Sequence, residues 1–316
     1  MATITQIEYV LHVDRLKHFG KAAKAANISQ PTLSQQIQKL EDDLGIVIFD
    51  RLQKPVILTE RGKVFVEQAR RVLREHQRLV HLAKQSTDES GGVRGQFRLA
   101  IIPTVSSSLL PLFIQKFSSD YPNVELTIEE MKTELSLSAL AEDRVDGAIL
   151  ATPTPTSGLK EHPLYYEPFH AYFSEGHRLL KKESVHRSDL DGSEMWVLQD
   201  GNCFKDQVAS FCPIPGAVGP VRFQSGSLET LVNLVRKGQG FTMIPALMTA
   251  GMGQAEQKGH VRRFRGAEPV REISLVYRRD HWKLEIISAL EKTIAKSLPS
   301  VVSTTRGNRQ TVLEYC

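Results

Sequence analysis

Apolar residues near the amino terminus recur at a helical period: Ile4, Ile7, Val10 with Leu11, and Leu16 with Phe19. Steps of three and four keep them on one face, which predicts an amphipathic helix. "GKAAKAANIS" follows as a small, alanine-rich helix able to pack closely against a neighbour. In the next segment, "SQPTLSQQIQKLEDDLG", Ser29 is a good N-cap, Pro31 fits the first turn where its missing N–H is harmless, and Gly45 suits the helix end. Leu33, Ile37, Leu40 and Leu44 form one apolar stripe on it, and Gln30, Thr32, Ser34, Gln35 and Gln38 form a polar, uncharged face. A merely solvated face would favour Lys and Glu, whereas amides and hydroxyls hydrogen-bond base edges in a DNA major groove. Base readout is therefore favoured over a plain surface.

The short, partly β-branched "IVIFDRLQKPVILT" predicts two strands and a turn, a wing beside that helix, with Arg51 and Lys54 as phosphate contacts. From Thr59 a long helix should run to about residue 85. Its positions Phe65, Ala69, Val72, His76, Leu79 and Ala83 alternate in steps of four and three, a coiled-coil-like seam between charged flanks. Dimerisation through this seam is favoured over a helix lying on its own domain. "STDESGGVRG" reads as a linker.

Beyond residue 95 the period changes. "QFRLAIIPT", "VELTIEE", "DGAILA", "MWVLQD", "VRFQSG", "GFTMIP" and "EISLVYR" read as strands, separated by helical stretches such as "SLLPLFIQKFSSDY" and "SLETLVNLVRKGQG". Alternation of this kind predicts parallel sheets flanked by helices. Proline-rich "ATPTPTSG" and "RFRGAEPVRE" mark places near 155–165 and 267 where the chain would cross between two subdomains and return.

A chain of 316 residues exceeds what one core usually spans, so two folding units are expected, and 41% apolar residues suffice for a packed core in each. The amino terminus breaks its apolar positions with Glu8, Asp14, Arg15 and Lys17, which argues against a signal peptide or membrane span and for a cytoplasmic protein. The net charge of +4 says little alone, but the bases Arg15, Lys17, Lys21, Lys24 and Lys39 run without an acid between them. The cysteines, Cys203, Cys212 and Cys316, are too few for a disulfide framework. No metal-ligand spacing, nucleotide-binding glycine fingerprint or Ser-His-Asp order is present, so neither a metal, a cofactor nor an enzymatic activity is expected.

The order of these parts resembles the LysR-type transcriptional regulators over nearly the whole chain, with "SQPTLSQQI" on the recognition helix. The second half is more narrowly similar to that family's peroxide-sensing OxyR branch, through "IPTVSSSLLP", "EDRVDGAIL", "GNCFKDQVASFC", "SLETLVNLVRKGQGFTMIPAL" and "LVYRR". The resemblance implies an α/β architecture of four parts: a winged helix-turn-helix over 1–58, a dimerisation helix and linker over 59–90, a bilobal, periplasmic-binding-protein-like regulatory domain over 91–300, and a tail over 301–316. It also implies that double-stranded DNA is contacted by Ser29, Gln30, Pro31, Thr32, Ser34, Gln35, Lys39, Arg51 and Lys54. The chain would act as a homodimer or homotetramer and as an activator working with RNA polymerase, its signal hydrogen peroxide.

The same resemblance implies that Cys203 is the peroxide-reactive thiolate and Cys212 its resolving partner, in a pocket of Thr104, Thr133, Asn202, Asp206 and Arg278. Two hydroxyls would orient the peroxide, and a guanidinium would meet the charge growing on the departing oxygen. Members of the branch have His before the first cysteine, and here Asn202 stands there. If "CFKDQVASFC" is helical, its ends lie about 13 Å apart along the axis, beyond the roughly 7 Å that a disulfide spans. Bond formation would then require local unwinding, eased by Pro213, Pro215 and Gly216 just beyond Cys212. Two other readings stay open: a LysR-type regulator binding a small anionic metabolite between its subdomains, and a thiol peroxidase, which the recognition helix disfavours.

Replacing Gln35 by alanine is expected to weaken binding to a cognate duplex more than to a scrambled one. Titrations of both duplexes at one salt concentration check this, and an equal loss would remove Gln35 from base readout.

Overall fold

The helical period at the amino terminus is realised as α1 (Ile4–Leu16), α2 (Phe19–Ala25) and α3 (Gln30–Leu44). The computed structural model describes residues 2–85, 92–154, 156–198, 203–212, 227–308 and 310–313. Thr3 and Gln6 form a reciprocal capping box at the start of α1, and the His18 ring accepts from two backbone N–H groups at the start of α2. Ser29 caps α3 by accepting from the Thr32 N–H, and Gly45 ends it at φ 65°, the left-handed conformation that glycine adopts without steric penalty. Val10 and Val13 of α1, Ala22 and Ala23 of α2, and Leu33, Ile37 and Leu40 of α3 make the core. Leu44, expected to continue the buried stripe, is 40% exposed because the helix ends there and its last turn passes beyond the core.

The wing is minimal: β1 (Phe49–Asp50) pairs antiparallel with β2 (Ile57–Leu58). It is tied to α3 by the buried carboxylate of Glu41, which accepts from the N–H groups of Ile48 and Phe49 at 2.7 and 3.2 Å. Then α4 (Glu60–Gln85) begins under Thr59, whose hydroxyl accepts from the Gly62 N–H and donates to the Val47 carbonyl. Arg70 on α4 reaches the buried Asp14 of α1 at 2.6 Å, fixing the helix to its domain.

Residues 1–91 and 92–316 are separate compact units. The second contains β3 (Gly95–Ile101), α5 (Pro103–Asp120), β4 (Val124–Glu130), α6 (Thr133–Ala141), β5 (Gly147–Thr152), β6 (Leu159–Phe173), β7 (Ser184–Val185), α7 (Cys203–Phe211), α8 (Leu228–Lys237), β8 (Phe241–Pro245), α9 (Ala246–Ala250), α10 (Gln254–His260), β9 (Val261–Phe264), β10 (Glu268–Arg278), α11 (Leu284–Ser297) and β11 (Gln310–Val312). The sheet runs β4-β3-β5-β10-β6-β9-β7, with β8 on β6 and β11 on β10.

The expectation of parallel sheets is corrected to a mixed one. The β4-β3-β5 set is parallel, but β10 runs antiparallel to β5 and β6, and β6 antiparallel to β8 and β9 as well. The reason is β6, a strand of 15 residues unforeseen because Pro163 and Pro168 interrupt its pattern. It pairs with β10 through Pro168 and with β8 from Phe169 onward, so a single strand serves both lobes. The described part of "MWVLQD", residues 195–198, forms no regular strand: Met195 makes one isolated bridge to Phe241, and Gln199 and Asp200 lie outside the described residues. "VRFQSG", the centre of the linker, Pro213 to Gly216 and Cys316 lie outside the described residues.

One apolar core joins β3, β5 and β10 to α5 and α11; a second joins Phe169, Phe173, Phe241 and Phe264 to α7 and α8. The segment expected as a tail carries β11, paired in parallel with Glu268 to Val270, and the buried Leu313.

Gly62 marks the closest approach of α4 to the wing, where an added Cβ would overlap the Ile48 carbonyl oxygen. Alanine gains about 1 kcal/mol of helix propensity at such a position, but displacing backbone costs about 1–3 kcal/mol. Gly62→Ala is therefore expected to lower the urea midpoint of the amino-terminal domain, and a raised midpoint would contradict the packing described.

Candidate functional site

Two regions carry the candidate chemistry, one in each unit. In the first, Gln30, Pro31, Thr32, Gln35, Gln38 and Lys39 are exposed along α3, with Ser29 at its start. The buried side of the helix holds Leu33, Ile37 and Leu40, so the polar face is presented by the packing of the apolar one. Gln36 is absent from that surface set because its side chain binds Gln6 of α1.

Ser34 and Arg51 are engaged with each other. The Arg51 guanidinium donates to Ser34 Oγ at 3.3 Å and to Glu41 Oε2 at 2.7 Å, and lies 5.2 Å from the centre of the Phe19 ring. Arg51 thus braces the wing against α3 while its positive charge remains near the polar face. Lys54, beyond β1, is exposed. On α4 the seam positions divide: Ala69 is buried in its own domain, whereas Val72 and Leu79 are 46% and 66% exposed. No helix among the described residues is long and apolar enough to cross a membrane.

In the second unit, α7 begins at Cys203 and ends at Phe211, and the Cys212 N–H still bonds the Val208 carbonyl at 2.8 Å. The two cysteines therefore bracket one helix. Phe204, Val208, Phe211 and Cys212 are all buried in the second core. Burial pushes the Cys212 thiol above its ordinary pKa, against the opposing pull of the Arg187 guanidinium, whose plane stands over the Phe211 ring. Cys212 is thus held in its protonated, weakly nucleophilic form.

Beside α7 lies a buried ion pair. Arg271 of β10 and Glu167 of β6 are register partners across the antiparallel ladder, each with about one hundredth of its side chain exposed, and their closest atoms are 2.7 Å apart. The guanidinium also donates to Thr104 Oγ1 at 3.2 Å and to the Thr104 carbonyl at 3.0 Å. Its positive centre faces the rings of Phe169 at 6.0 Å and Phe204 at 5.8 Å. The second Glu167 oxygen accepts from the Leu247 N–H at 2.8 Å, in the first turn of α9. Tyr165, two residues along the same strand face, is fully buried, and its hydroxyl is pushed well above the usual pKa by burial and by the Glu167 charge.

Thr104 and Thr133 sit at the starts of α5 and α6, which follow the adjacent strands β3 and β4. The carboxyl ends of such strands are where open α/β sheets bind ligands. The Thr133 hydroxyl is buried and has no hydrogen-bond partner among the described residues, so it remains available to a small polar molecule. Asp206 lies in the first turn of α7, and Asn202 lies outside the described residues.

The structure does not bring Arg278 to this cluster. It stands seven residues beyond Arg271 on β10, about 23 Å along a strand, and is bonded to Asp280 by two contacts of 2.9 Å with Asp143 near by. The arginine beside Thr104 is Arg271, which the sequence reading passed over together with Glu167. Their signal was present: Glu167 is the one acid in the otherwise largely apolar "YYEPFHAYF", Arg271 stands with Glu272 inside the largely apolar "PVREISLVY", and a charge in such a position must find a partner.

Residues 4–63 match the family described as bacterial regulatory helix-turn-helix protein, lysR family, and residues 90–298 match the LysR substrate binding domain. The chain is 37% identical over 275 residues to a hydrogen peroxide-inducible genes activator of Pectobacterium carotovorum, covering 87% of this chain and 90% of that one. It is 36% identical to the DNA-binding transcriptional dual regulator OxyR of Escherichia coli, covering 87% and 89%. Among solved structures it is similar to a full-length OxyR variant from Pseudomonas aeruginosa, with TM-score 0.76, 29% identity and coverage of 95% and 99%. It is also similar to a hydrogen peroxide-bound OxyR variant from Corynebacterium glutamicum, with TM-score 0.60, 28% identity and coverage of 94% and 92%. With a winged helix-turn-helix, a bilobal regulatory unit and these relatives, the chain belongs to the LysR family of DNA-binding transcriptional regulators, in its OxyR group.

Proposed function

We propose that this protein is a hydrogen peroxide-responsive transcriptional regulator whose switch is the helix α7. The observation that carries the reading is the placement of Cys203 and Cys212 at the two ends of that helix, with Phe204 packed against the buried Arg271. The names of its relatives and the peroxide-bound structure support the same signal.

The chemistry balances as two steps. The Cys203 thiolate attacks one oxygen of hydrogen peroxide; a sulfur–oxygen bond forms, the oxygen–oxygen bond breaks, and the departing hydroxide takes a proton to become water. Two features favour the thiolate and the departing charge: the positive end of α7 at Cys203 and the Arg271 guanidinium. Thr104, already oriented by Arg271, and the Thr133 hydroxyl, which has no partner among the described residues, would hold the peroxide. Cys212 then attacks the sulfenic sulfur, the disulfide forms, and a second water leaves. Since α7 holds its ends about 13 Å apart, this second step needs the helix to open. Opening also exposes the Cys212 thiol, lowers its pKa toward normal and makes it the nucleophile the step requires.

The rearranged segment would change surfaces through which regulatory domains pair, and so the spacing at which two amino-terminal domains meet DNA. The exposed Val72 and Leu79 of α4 support pairing of chains. A homotetramer on double-stranded DNA, acting with RNA polymerase in the cytoplasm, completes the proposal. A metabolite-sensing role is less favoured, because the cysteines at the two ends of α7 and the names of the relatives point to peroxide as the signal.

Cys203→Ser is expected to abolish the response to peroxide while leaving DNA binding by the reduced protein intact. Peptide mapping after a near-stoichiometric peroxide pulse should show a Cys203–Cys212 bridge in the unaltered protein, and thiols that stay reduced would end this reading. Arg271→Lys keeps the charge but loses the paired donors, and is expected to slow Cys203 oxidation by about a hundredfold. Arg278→Lys should leave that rate unchanged; stopped-flow peroxide kinetics on both variants, with circular dichroism to confirm folding, separates the two arginines.

A further inference from the structure

The inward face of α7 is composed of Phe204, Gln207, Val208 and Phe211, at the spacing of one helix stripe. Gln207 is the polar member, and it is fully buried. Its side-chain nitrogen donates to the carbonyl of Leu313 at 2.9 Å, and its oxygen has no hydrogen-bond partner among the described residues. Leu313 is itself held at both ends. Its N–H donates to the Val270 carbonyl at 2.8 Å, and its side chain, 5% exposed, is buried in the cluster that contains Phe204, Val208, Phe211 and Cys212.

The segment leading to Leu313 is fixed to the body of the domain. Ser303 and Tyr166 exchange backbone hydrogen bonds, the Gln310 amide donates to Glu268, and β11 pairs with β10 up to Val270↔Val312. The residue after Val270 is Arg271. The carboxy-terminal strand therefore spans from the strand that carries the buried arginine to the helix that carries both cysteines.

A helix of nine residues is too short to persist by its own hydrogen bonds, so α7 stays helical only through what packs on it. We propose that Gln207 and Leu313 are positioning residues that form a latch: they hold α7 in its reduced, helical form and set how fast Cys212 reaches oxidised Cys203. The proposal rests on the disulfide reading above for its consequence, though not for its geometry. The Gln207 oxygen, which has no partner among the described residues, explains why the latch can release, since such a buried acceptor regains a partner in water when the helix opens. In the step concerned, Cys212 sulfur bonds to Cys203 sulfur, the sulfur–oxygen bond of the sulfenic acid breaks, and water leaves; hydrogen peroxide has already supplied the oxidation.

The test compares the reduced full-length protein with Leu313→Ala and Gln207→Met. After a peroxide pulse, sulfenic acid at Cys203 is trapped with dimedone and the disulfide is followed by peptide mapping. The first oxidation should keep its rate, while the resolving step should quicken by about tenfold, from loss of buried apolar contact and of one hydrogen bond. Folded variants with an unchanged resolving rate would overturn the latch. If the unaltered protein forms no disulfide at all, the switch reading fails, and the latch is judged by hydrogen exchange. Faster exchange of the amides of residues 203–211 in either variant then upholds it, and unchanged protection overturns it. Should Leu313→Ala fail to fold, a chain ending at residue 309 and Gln207→Met carry the same comparison.

Discussion

The regulatory unit is organised around one buried ion pair, Arg271 with Glu167, at the point where the two long strands β6 and β10 lie side by side. Either charge alone in that position would be strongly destabilising, by about 3–5 kcal/mol if its partner were removed. Together they are tolerated because the bonds go further: guanidinium to both oxygens of Thr104, carboxylate to the Leu247 N–H. Those bonds reach two further elements, α5 and α9, so satisfying the charges fixes where the helices start. The aromatic faces of Phe169 and Phe204 cover the cation and bring α7 to it.

This arrangement gives a short helix its support from the elements packed on it. The ends of α7 are set apart by its own geometry, and nothing covalent holds it there. Its stability comes from Phe204, Val208 and Phe211 in the second core and from the contact that Gln207 makes with the chain end. A reaction at one end of the helix has only to outweigh those few contacts. In the proposed switch the raised pKa of buried Cys212 would act in the same direction, keeping the second thiol protonated while the helix is intact.

The amino-terminal unit uses its charges differently. Glu41 caps the wing and binds Arg51, Asp14 binds Arg70 and Lys17, and these pairs lock α1, α3, α4 and the wing into one body. What remains exposed on α3 is largely neutral and polar, a surface suited to reading bases rather than to binding any polyanion.

Much of this was legible in the order of residues. Local signals, the helical periods, the Ser29 cap, Gly45 and the Cys203–Cys212 spacing, are governed by interactions within a few residues, and the structure realises α1 to α4 and α7 accordingly. The resemblance of "SQPTLSQQI" and "GNCFKDQVASFC" to known regulators pointed to the family without any tertiary information. Other features depended on contacts between distant parts of the chain. Pro163 and Pro168 concealed β6, because a strand that serves two lobes is set by its partners rather than by its own propensity. The choice of Arg271 over Arg278 turns on a cross-strand register with a carboxylate 104 residues away. The role of Leu313 turns on a bond to a residue 106 positions earlier. The sequence by itself determined the helices α1 to α4 and α7, the family and the pair of cysteines; only the tertiary structure decided which buried charge packs on Phe204 of α7 and which remote segment bonds Gln207, since burial and pairing arise when remote segments close on one another.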